Sequence, residues 1–166
     1  MIPEDVVIRP ARIQDVDTLT RFSAAMALET ERRALDPLRL RQGTLAVLEE
    51  PHHGSFYVAE LRNDHLVVGQ LLITYEWSDW RNAQFWWIQS VYVDPGWRRR
   101  GVYRAMHTAI LAAARARTDV CGIRLYVEQN NATAQQAYRH AGMHRSPYLV
   151  FEDDFVSSSK PFKEQV

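Results

Sequence analysis

The sequence predicts a mixed α/β fold with at least one right-handed βαβ crossover in its second half. The first observation is that the 166 residues are 46% hydrophobic and 24% charged, which fits one folded core. The second is that apolar residues form alternating or continuous runs in some segments and recur every three to four residues in others. The third is the order of these segments: strand, two helices, three strands, helix, strand, helix, strand.

The first half of the chain contains one predicted strand followed by two predicted helices. Residues 6–9 are β-branched up to Pro10 and predict a strand. Residues 14–33 have apolar side chains at helical spacing and predict the first helix. Asp36 and Pro37 are typical of a helix start, so a second helix is expected over residues 37–49.

The second half alternates strands with helices. Residues 83–93 are apolar on both alternating faces, as expected of a central strand that is covered on both sides. Gly142 follows a helical repeat and predicts its end. The predicted elements are strands at 55–61, 66–75, 83–93, 122–127 and 148–151, with helices at 101–117 and 131–141.

The charge of the chain is balanced in total but segregated along the sequence. The chain has 20 basic and 20 acidic residues, which argues against a nucleic-acid partner. Residues 81–124 carry eight arginines and two acids, whereas residues 1–80 carry eight arginines and thirteen acids. We therefore look for an anionic ligand in the middle third and expect the acidic flank to suit a cationic amine.

Several classes of protein are disfavoured by composition. The single cysteine, Cys121, excludes an intrachain disulfide and a thiolate metal cluster, and the six histidines lack paired metal-ligand spacing. No apolar run approaches the ~20 residues that span a bilayer, and the first five residues do not resemble a signal peptide. We expect a cytoplasmic domain over residues 1–156, without metal or membrane partner, and a flexible tail at 157–166.

The segment 91–104 carries the clearest chemical signal. A buried strand, the turn Asp94-Pro95-Gly96, the run Arg98-Arg99-Arg100, Gly101 and a helix start follow one another within fourteen residues. Free amides at a helix N-terminus bind anions, and a glycine there lets a ligand approach the backbone. The segment predicts a phosphate or pyrophosphate site, and the alternative is a solvated basic turn.

Two motifs in this part of the chain resemble those of the Gcn5-related N-acetyltransferase (GNAT) superfamily. Residues 98–103 match the pattern [Gln/Arg]-x-x-Gly-x-[Gly/Ala] except that Tyr103 replaces the small third residue. Residues 131–143 match Asn-x-x-Ala-x-x-x-Tyr-x-x-x-Gly-[Phe/Met] at every fixed position. The resemblance implies a central, mixed, mostly antiparallel twisted sheet with a splayed parallel strand pair and about four flanking helices.

The resemblance also implies where acetyl-CoA, the cosubstrate, would bind. In this family the strand before the phosphate turn carries a bulge, and the pantetheine arm pairs with its backbone beside the splayed strand. The pyrophosphate sits on the turn and on the helix start. Carried onto this sequence, the cofactor-binding residues are Val91, Tyr92, Val93, Arg98, Arg99, Arg100, Gly101, Val102, Tyr103, Arg104, Asn131 and Ala134.

For catalysis, the resemblance makes Tyr138 the general acid that protonates the departing thiolate, and its alternative role is packing on an apolar helix face. The general base is not marked by the motifs. We favour Glu29 and Glu31, at the end of the first helix, over Glu76, Asp79 and Glu128. The residues proposed to contact the acceptor are Glu29, Trp77, Asp79 and Glu128.

Trp77 and Trp80 flank Asp79 in the predicted hairpin, and two interpretations stay open for them. The tryptophans either stack on a substrate or partner, or cover the sheet while Asp79 serves the turn.

The function implied by the resemblance is direct transfer of an acetyl group from acetyl-CoA to a primary amine, through a ternary complex and without metal. The rival is a non-catalytic acyl-CoA-sensing or protein-binding module, favoured by Gln89 and Tyr103. Dimers are frequent in this superfamily, so a homodimer is one option, and both the oligomeric state and the acceptor are left open.

Overall fold

A five-stranded sheet organises the larger part of the protein. The computed structural model describes residues 5–156, and the chain divides after Tyr126 into two units. The strands lie in the order β1-β2-β3-β4-β5; all neighbours are antiparallel except β4 and β5, which are parallel. This confirms the mixed, mostly antiparallel sheet. The strands are β1 Val6–Pro10, β2 Ser55–Leu61, β3 Val67–Ser78, β4 Ala83–Val93 and β5 Val120–Leu125.

Four α-helices are present in the described residues: α1 Val16–Glu31, α2 Pro37–Glu49, α3 Val102–Arg115 and α4 Ala132–His140. The start predicted for α2 is confirmed, because the Asp36 carboxylate accepts the backbone N–H of Arg39 at 2.7 Å and Pro37 opens the helix. Gly142 follows α4 with φ +84°, which confirms the predicted end of that helix.

The sheet is covered on both faces, as the continuous apolar run of β4 predicts. On one face, Leu71 and Ile73 of β3 pack in a cluster with Met106 and Ile110 of α3, and all four are fully buried. On the other face, Leu19 of α1 packs with Phe56 and Val58 of β2. Burying large aliphatic side chains contributes about 1.5–3 kcal/mol each, so these two layers hold the helices against the sheet.

A cluster of three charged side chains joins β1, β2 and the turn before α1. The Arg9 guanidinium donates to the Asp15 carboxylate at 2.8 Å and to Glu60 through its Nε at 2.7 Å. The Asp15 carboxylate also accepts the backbone N–H of Arg12 at 2.7 Å. All three charged side chains are largely buried, and each is paired, so the desolvation of these charges is offset by direct contacts.

Strand β4 has a bulge near its centre and loses one neighbour beyond it. Its pairing with β3 passes from Ile73 opposite Ile88 to Leu72 opposite Ser90, so Gln89 is one extra residue. Its pairing with β5 ends at Ile88 opposite Leu125, whereas its pairing with β3 continues to Val93. The bulge and the parallel strand pair, both implied by the resemblance, are therefore present, whereas the splay of that pair stays a prediction.

The second unit, from Val127 onward, contains α4 and an irregular segment where a strand was expected. The predicted strand at 148–151 is wrong. The backbone N–H of Tyr148 is bonded to the Ser146 hydroxyl at 3.1 Å, and the segment has no strand neighbour among the described residues. A serine side chain that bonds a nearby amide competes with strand pairing, and β-branched and aromatic residues alone do not supply a partner.

Some predicted boundaries also shift. Strand β5 occupies Val120–Leu125 rather than 122–127, because Val120 already pairs with Gln84. Helix α1 is shorter than predicted, since Arg32 adopts a left-handed conformation that ends it. Residues 157–166, the predicted tail, lie outside the described part of the chain, and the single domain over 1–156 stays a prediction.

Candidate active site

The turn between β4 and α3 has a backbone shape that its sequence explains. The Asp94 carboxylate accepts the backbone N–H of Gly96 at 3.0 Å and fixes a short 3-10 turn at Pro95–Trp97. Arg99 and Gly101 both have positive φ, 64° and 84°. Only glycine adopts this conformation without strain, so Gly101 allows the chain to reverse directly into α3.

Four arginines lie at the start of α3. The first turn of the helix contains no acidic residue, and Arg98, Arg99, Arg100 and Arg104 are exposed. The first amides of a helix lack intrahelical partners and lie at the positive end of its dipole. This arrangement fits an anionic group such as a pyrophosphate, as the sequence predicts.

The Arg98 side chain, although 41% exposed, lies along the end of β4. Its Nε donates to the backbone oxygen of Val93 at 2.9 Å, and its guanidinium lies over the Tyr92 ring, 5.2 Å from the centroid. A terminal nitrogen forms an ion pair with the Glu29 carboxylate at 2.7 Å. Arg98 therefore connects the turn between β4 and α3 to the C-terminal end of α1.

The Glu29 carboxylate has a second donor. The Tyr92 hydroxyl, on a buried side chain, donates to it at 2.9 Å. The hydrogen bond from Arg98 has the largest effect on Glu29 and, together with the one from Tyr92, lowers the pKa of Glu29 below its usual range. Burial, followed by the contact with Glu29, raises the pKa of Tyr92. Glu29 is thus ionised but a weak proton acceptor while Arg98 holds it.

The other carboxylates proposed as bases have different surroundings. Glu31 is exposed and has no side-chain partner among the described residues. Glu76 accepts from the Trp87 indole and from Arg124 at 2.8 Å, and these contacts, the indole first, lower its pKa. Asp79 accepts the backbone N–H of Trp80 at 2.9 Å and so serves the hairpin turn.

The two hairpin tryptophans are not a cover for the sheet. Trp77 is 63% exposed and Trp80 85% exposed, so the interpretation in which they form a lid is wrong. Contact of Trp77 and Asp79 with an acceptor stays a prediction.

The free edge of β4 supplies the backbone for the expected pantetheine arm. Val91, Tyr92 and Val93 pair with β3, and beyond Ile88 the described sheet gives them no partner on the β5 side. Val91 and Val93 pack against the α3 layer, whereas Tyr92 contacts Phe22 of α1. A strand edge that is open on one side can pair with an extended ligand.

The second unit holds the residues of the other motif. The Asn131 carboxamide accepts the backbone N–H of Ala134 at 3.0 Å and caps α4. Tyr138 lies half-buried on the same helix. Glu128 precedes the helix and accepts the backbone N–H of Asn130 at 2.9 Å. The roles of Asn131, Ala134 and Tyr138 toward the cofactor, and of Glu128 toward the acceptor, stay predictions.

Sequence reasoning missed a polar group in the core of the larger unit. Gln70 of β3 is fully buried, and its Nε2 donates to the Ser23 hydroxyl of α1 at 2.8 Å. Ser23 and Ser90, near the bulge of β4, line a pocket between the helices and the sheet. The one available signal was Gln70 itself, a polar residue within the apolar run of β3.

Neither a metal centre nor a membrane span is found within residues 5–156. No group of three or more His, Cys, Asp or Glu side chains in this range is placed to hold a metal ion. No helix in the range is long and apolar enough to cross a bilayer.

The fold and the strand-to-helix turn together define an acetyltransferase of the GNAT type. The chain belongs to the acetyltransferase (GNAT) family, whose model matches residues 19–143. A crystal structure of a possible acetyltransferase from Clostridium difficile 630 is 38% identical, with a TM-score of 0.85 over 93% of this chain and 100% of that chain. No curated protein matched the sequence.

More distant structures share the fold. An aminoglycoside N-acetyltransferase AAC(6')-Iy in complex with CoA is 12% identical, with a TM-score of 0.72 over 93% of this chain and 99% of that chain. A ribosomal-protein-alanine N-acetyltransferase from Brucella melitensis biovar Abortus 2308 is 15% identical, with a TM-score of 0.71 over 90% and 99%.

Proposed function

We propose that the protein is an acetyl-CoA-dependent N-acetyltransferase that acetylates a primary amine of a small molecule or peptide in a ternary complex. The observation that carries the proposal is the combination of a bulged strand, open on one side beyond Ile88, with an acid-free helix start behind Gly101. Acetyl-CoA fits both features, because its extended pantetheine arm suits the open strand and its anionic pyrophosphate suits the helix start.

The residues of the turn would hold the pyrophosphate. The amides at the start of α3 donate hydrogen bonds, Gly101 leaves room for close approach, and Arg99, Arg100 and Arg104 supply charge. Arg98 would have two anionic partners, the Glu29 carboxylate with which it already forms an ion pair and the incoming pyrophosphate. If Arg98 turns to the pyrophosphate, Glu29 loses its strongest donor and becomes a better proton acceptor.

The backbone of β4 would position the pantetheine arm beside Val91, Tyr92 and Val93. When bound, acetyl-CoA supplies an activated acetyl group: the amine nitrogen bonds the acetyl carbon, the C–S bond breaks, the amine loses a proton, and CoA leaves as the thiol. A backbone N–H near Tyr92 or Val93 would stabilise the charge on the carbonyl oxygen. Tyr138 would donate the proton to sulfur, with Glu29 or Glu31 accepting the amine proton.

The direct test is a coupled assay for free CoA with acetyl-CoA and a panel of primary amines, beside calorimetric titration of acetyl-CoA into the protein. We expect micromolar to millimolar binding and amine-dependent release of CoA, a range typical of enzymes. Absence of both acetyl-CoA binding and CoA release would overturn the proposal.

A second function is favoured by the ion pair of Glu29. A carboxylate that stays bound to Arg98 and Tyr92 cannot act as a base, which suits a module that senses acyl-CoA without turnover. The same assay separates the two functions, since the sensor binds acetyl-CoA but releases no CoA with any amine.

A further inference from the structure

A pocket of about 290 Å³ lies between α1, α2 and the sheet in the larger unit. It opens at the surface beside Arg39 and Gly43, which are exposed, and reaches inward to the buried side chains of Thr44 and Phe56. The volume is at the lower end of the range for small-molecule sites. A ligand of roughly amino-acid size fits it.

The pocket reaches β4 at the point where the acetyl group is expected. Ser90 lines the pocket, follows the bulge residue Gln89 and directly precedes Val91, the first residue assigned to the pantetheine arm. Tyr92, two residues further, faces α1 and contacts Glu29. An amine in this pocket therefore lies next to the strand segment that would hold the thioester.

The charge of the lining is positive. Within residues 5–156, Arg39 is the only ionisable residue of the lining, and none of the lining residues is a carboxylate. The Arg39 guanidinium has no ion pair or hydrogen bond with another side chain in residues 5–156, and the nearby Asp36 carboxylate accepts the Arg39 backbone N–H. A guanidinium without a partner at the mouth of an apolar pocket recognises a carboxylate.

The inner surface is mostly apolar but includes hydroxyl groups. Ser23 accepts a hydrogen bond from Gln70, which leaves the Ser23 proton available to a ligand. Gln70 is fully buried, and its Oε1 has no partner among the described residues. Leu40, Val47 and Leu72 provide the apolar walls. The pocket thus combines one cation at its mouth, apolar sides and a few polar groups inside.

We infer that this pocket binds the acceptor and that the acceptor is a small amino acid with an apolar body, its carboxylate on Arg39 and its amine toward Ser90. The inference rests on the proposed function. It departs from the cationic acceptor that the acidic flank predicted, because the acids of residues 1–80 do not line this pocket. Acetyl-CoA and the amino acid would give the N-acetyl amino acid and free CoA.

Matched ligands test the carboxylate directly. With the protein saturated with CoA, calorimetry is run with leucine, phenylalanine and 6-aminohexanoate, with their carboxamides, and with spermidine. We expect each carboxylate to bind about tenfold or more tightly than its amide, as for a charge-assisted hydrogen bond. Equal affinity for acid and amide, preference for spermidine, or no binding would overturn the inference.

Variants in α2 identify the pocket. Arg39→Gln should abolish the preference for the carboxylate, whereas Arg41→Gln should keep it, because Arg41 does not line the pocket and pairs with Asp17 instead. Gly43→Leu should fill the pocket and prevent binding without affecting CoA, since a Cβ at Gly43 has nothing within 4 Å. Unchanged preference in Arg39→Gln would contradict the site.

The assay for free CoA separates the two proposals. Acetylation of spermidine but not of the amino acids would overturn the acceptor class and leave the transferase function intact. Arg39-dependent binding of the amino acids without turnover of any amine would contradict the transferase function and support the pocket.

Discussion

At the scale of single residues, Glu29 links the turn before α3 to the strand that is expected to hold the thioester. Its carboxylate is shared by Arg98, from the phosphate turn, and Tyr92, from the strand expected to hold the thioester. A pyrophosphate bound beside Arg98 would compete with Glu29 for the single positive charge of its guanidinium. The position of one guanidinium therefore couples cofactor binding to the basicity of Glu29.

Replacing Glu29 should separate cofactor affinity from turnover. In Glu29→Gln the ion pair is lost and Arg98 becomes available, so CoA should bind about two- to fivefold more tightly, the range of an exposed ion pair. If Glu29 is the base, kcat should fall at the same time. Glu31→Gln is the matched control, and calorimetry with steady-state kinetics provides the two measurements. Weaker CoA binding in Glu29→Gln would contradict the competition.

Tyr138 should affect turnover rather than binding. Tyr138→Phe removes only the hydroxyl, and loss of a general acid typically reduces the rate by roughly 100-fold or more. CoA affinity should be nearly unchanged. Tyr148→Phe, an exposed tyrosine in the same unit, serves as the control. Unchanged kcat for Tyr138→Phe would remove the assigned role.

At the scale of elements, the start of α3 depends on Gly101. Gly101→Ala should cost about 1 kcal/mol of stability because φ is 84°. Gly101→Glu should carry that cost and also place a negative charge at the anion site, so CoA affinity should fall well below that of Gly101→Ala. Thermal unfolding and CoA titration of both variants separate strain from charge; equal CoA affinity in the two would contradict an anion site here.

Gly43 in helix α2 differs from Gly101, because the fold does not require a glycine there. Gly43 lies inside the helix, and a Cβ there has open space around it. Gly43→Ala should therefore raise the free energy of unfolding by about 1 kcal/mol, the difference in helix propensity. Denaturant unfolding measures this change. An m-value equal to that of the unmodified protein would show that Gly43→Ala exposes the same surface on unfolding. A decrease in stability would show that the glycine is needed for packing.

At the scale of the whole molecule, the Arg9 cluster should control unfolding in acid. Burial raises the pKa of Asp15, but hydrogen bonds from Arg9 and the Arg12 amide outweigh it, so the net pKa is lowered. Hydrogen bonds from Arg9, which has the larger effect, and from His65 lower the pKa of Glu60. A lowered pKa in the folded state means that the stabilisation is complete above the pKa of the unfolded chain and is lost as pH falls.

We therefore expect stability to fall below about pH 4, where unfolded carboxylates begin to bind protons. Asp15→Asn should lower stability at neutral pH and flatten this dependence, whereas Asp17→Asn, on an exposed carboxylate, should change it little. Urea unfolding from pH 2.5 to 7 measures the slope. A steeper slope in Asp15→Asn would contradict the assigned sign.

Much of the fold was accessible from the sequence, because it depends on local patterns. Strands β2 and β4 lie at the predicted residues, since apolar runs bounded by turn residues define them. The turn between β4 and α3 could be located because glycine and arginine occur together at a helix start, and its role as a phosphate site stays a prediction. The contact of Glu29 with Arg98 was not, because 69 residues separate them and only the packing of α1 brings them together. The prediction of a strand at 148–151 was wrong for a related reason. A strand needs a neighbouring strand to pair with, and the residues of the segment do not show whether one is present.

The extra residue in β4 acts as a change of phase in the two-residue repeat of the strand. Before Gln89, the even-numbered Trp86 and Ile88 face the α3 layer; after it, the odd-numbered Val91 and Val93 do. Because Ile88 faces α3 and Ser90 already faces α1, deleting Gln89 would leave both orientations unchanged and remove only the bulge, whereas Gln89→Ala would keep it. The extra residue therefore sets the local bend of β4 where its pairing with β5 ends, and not which side chains face α1.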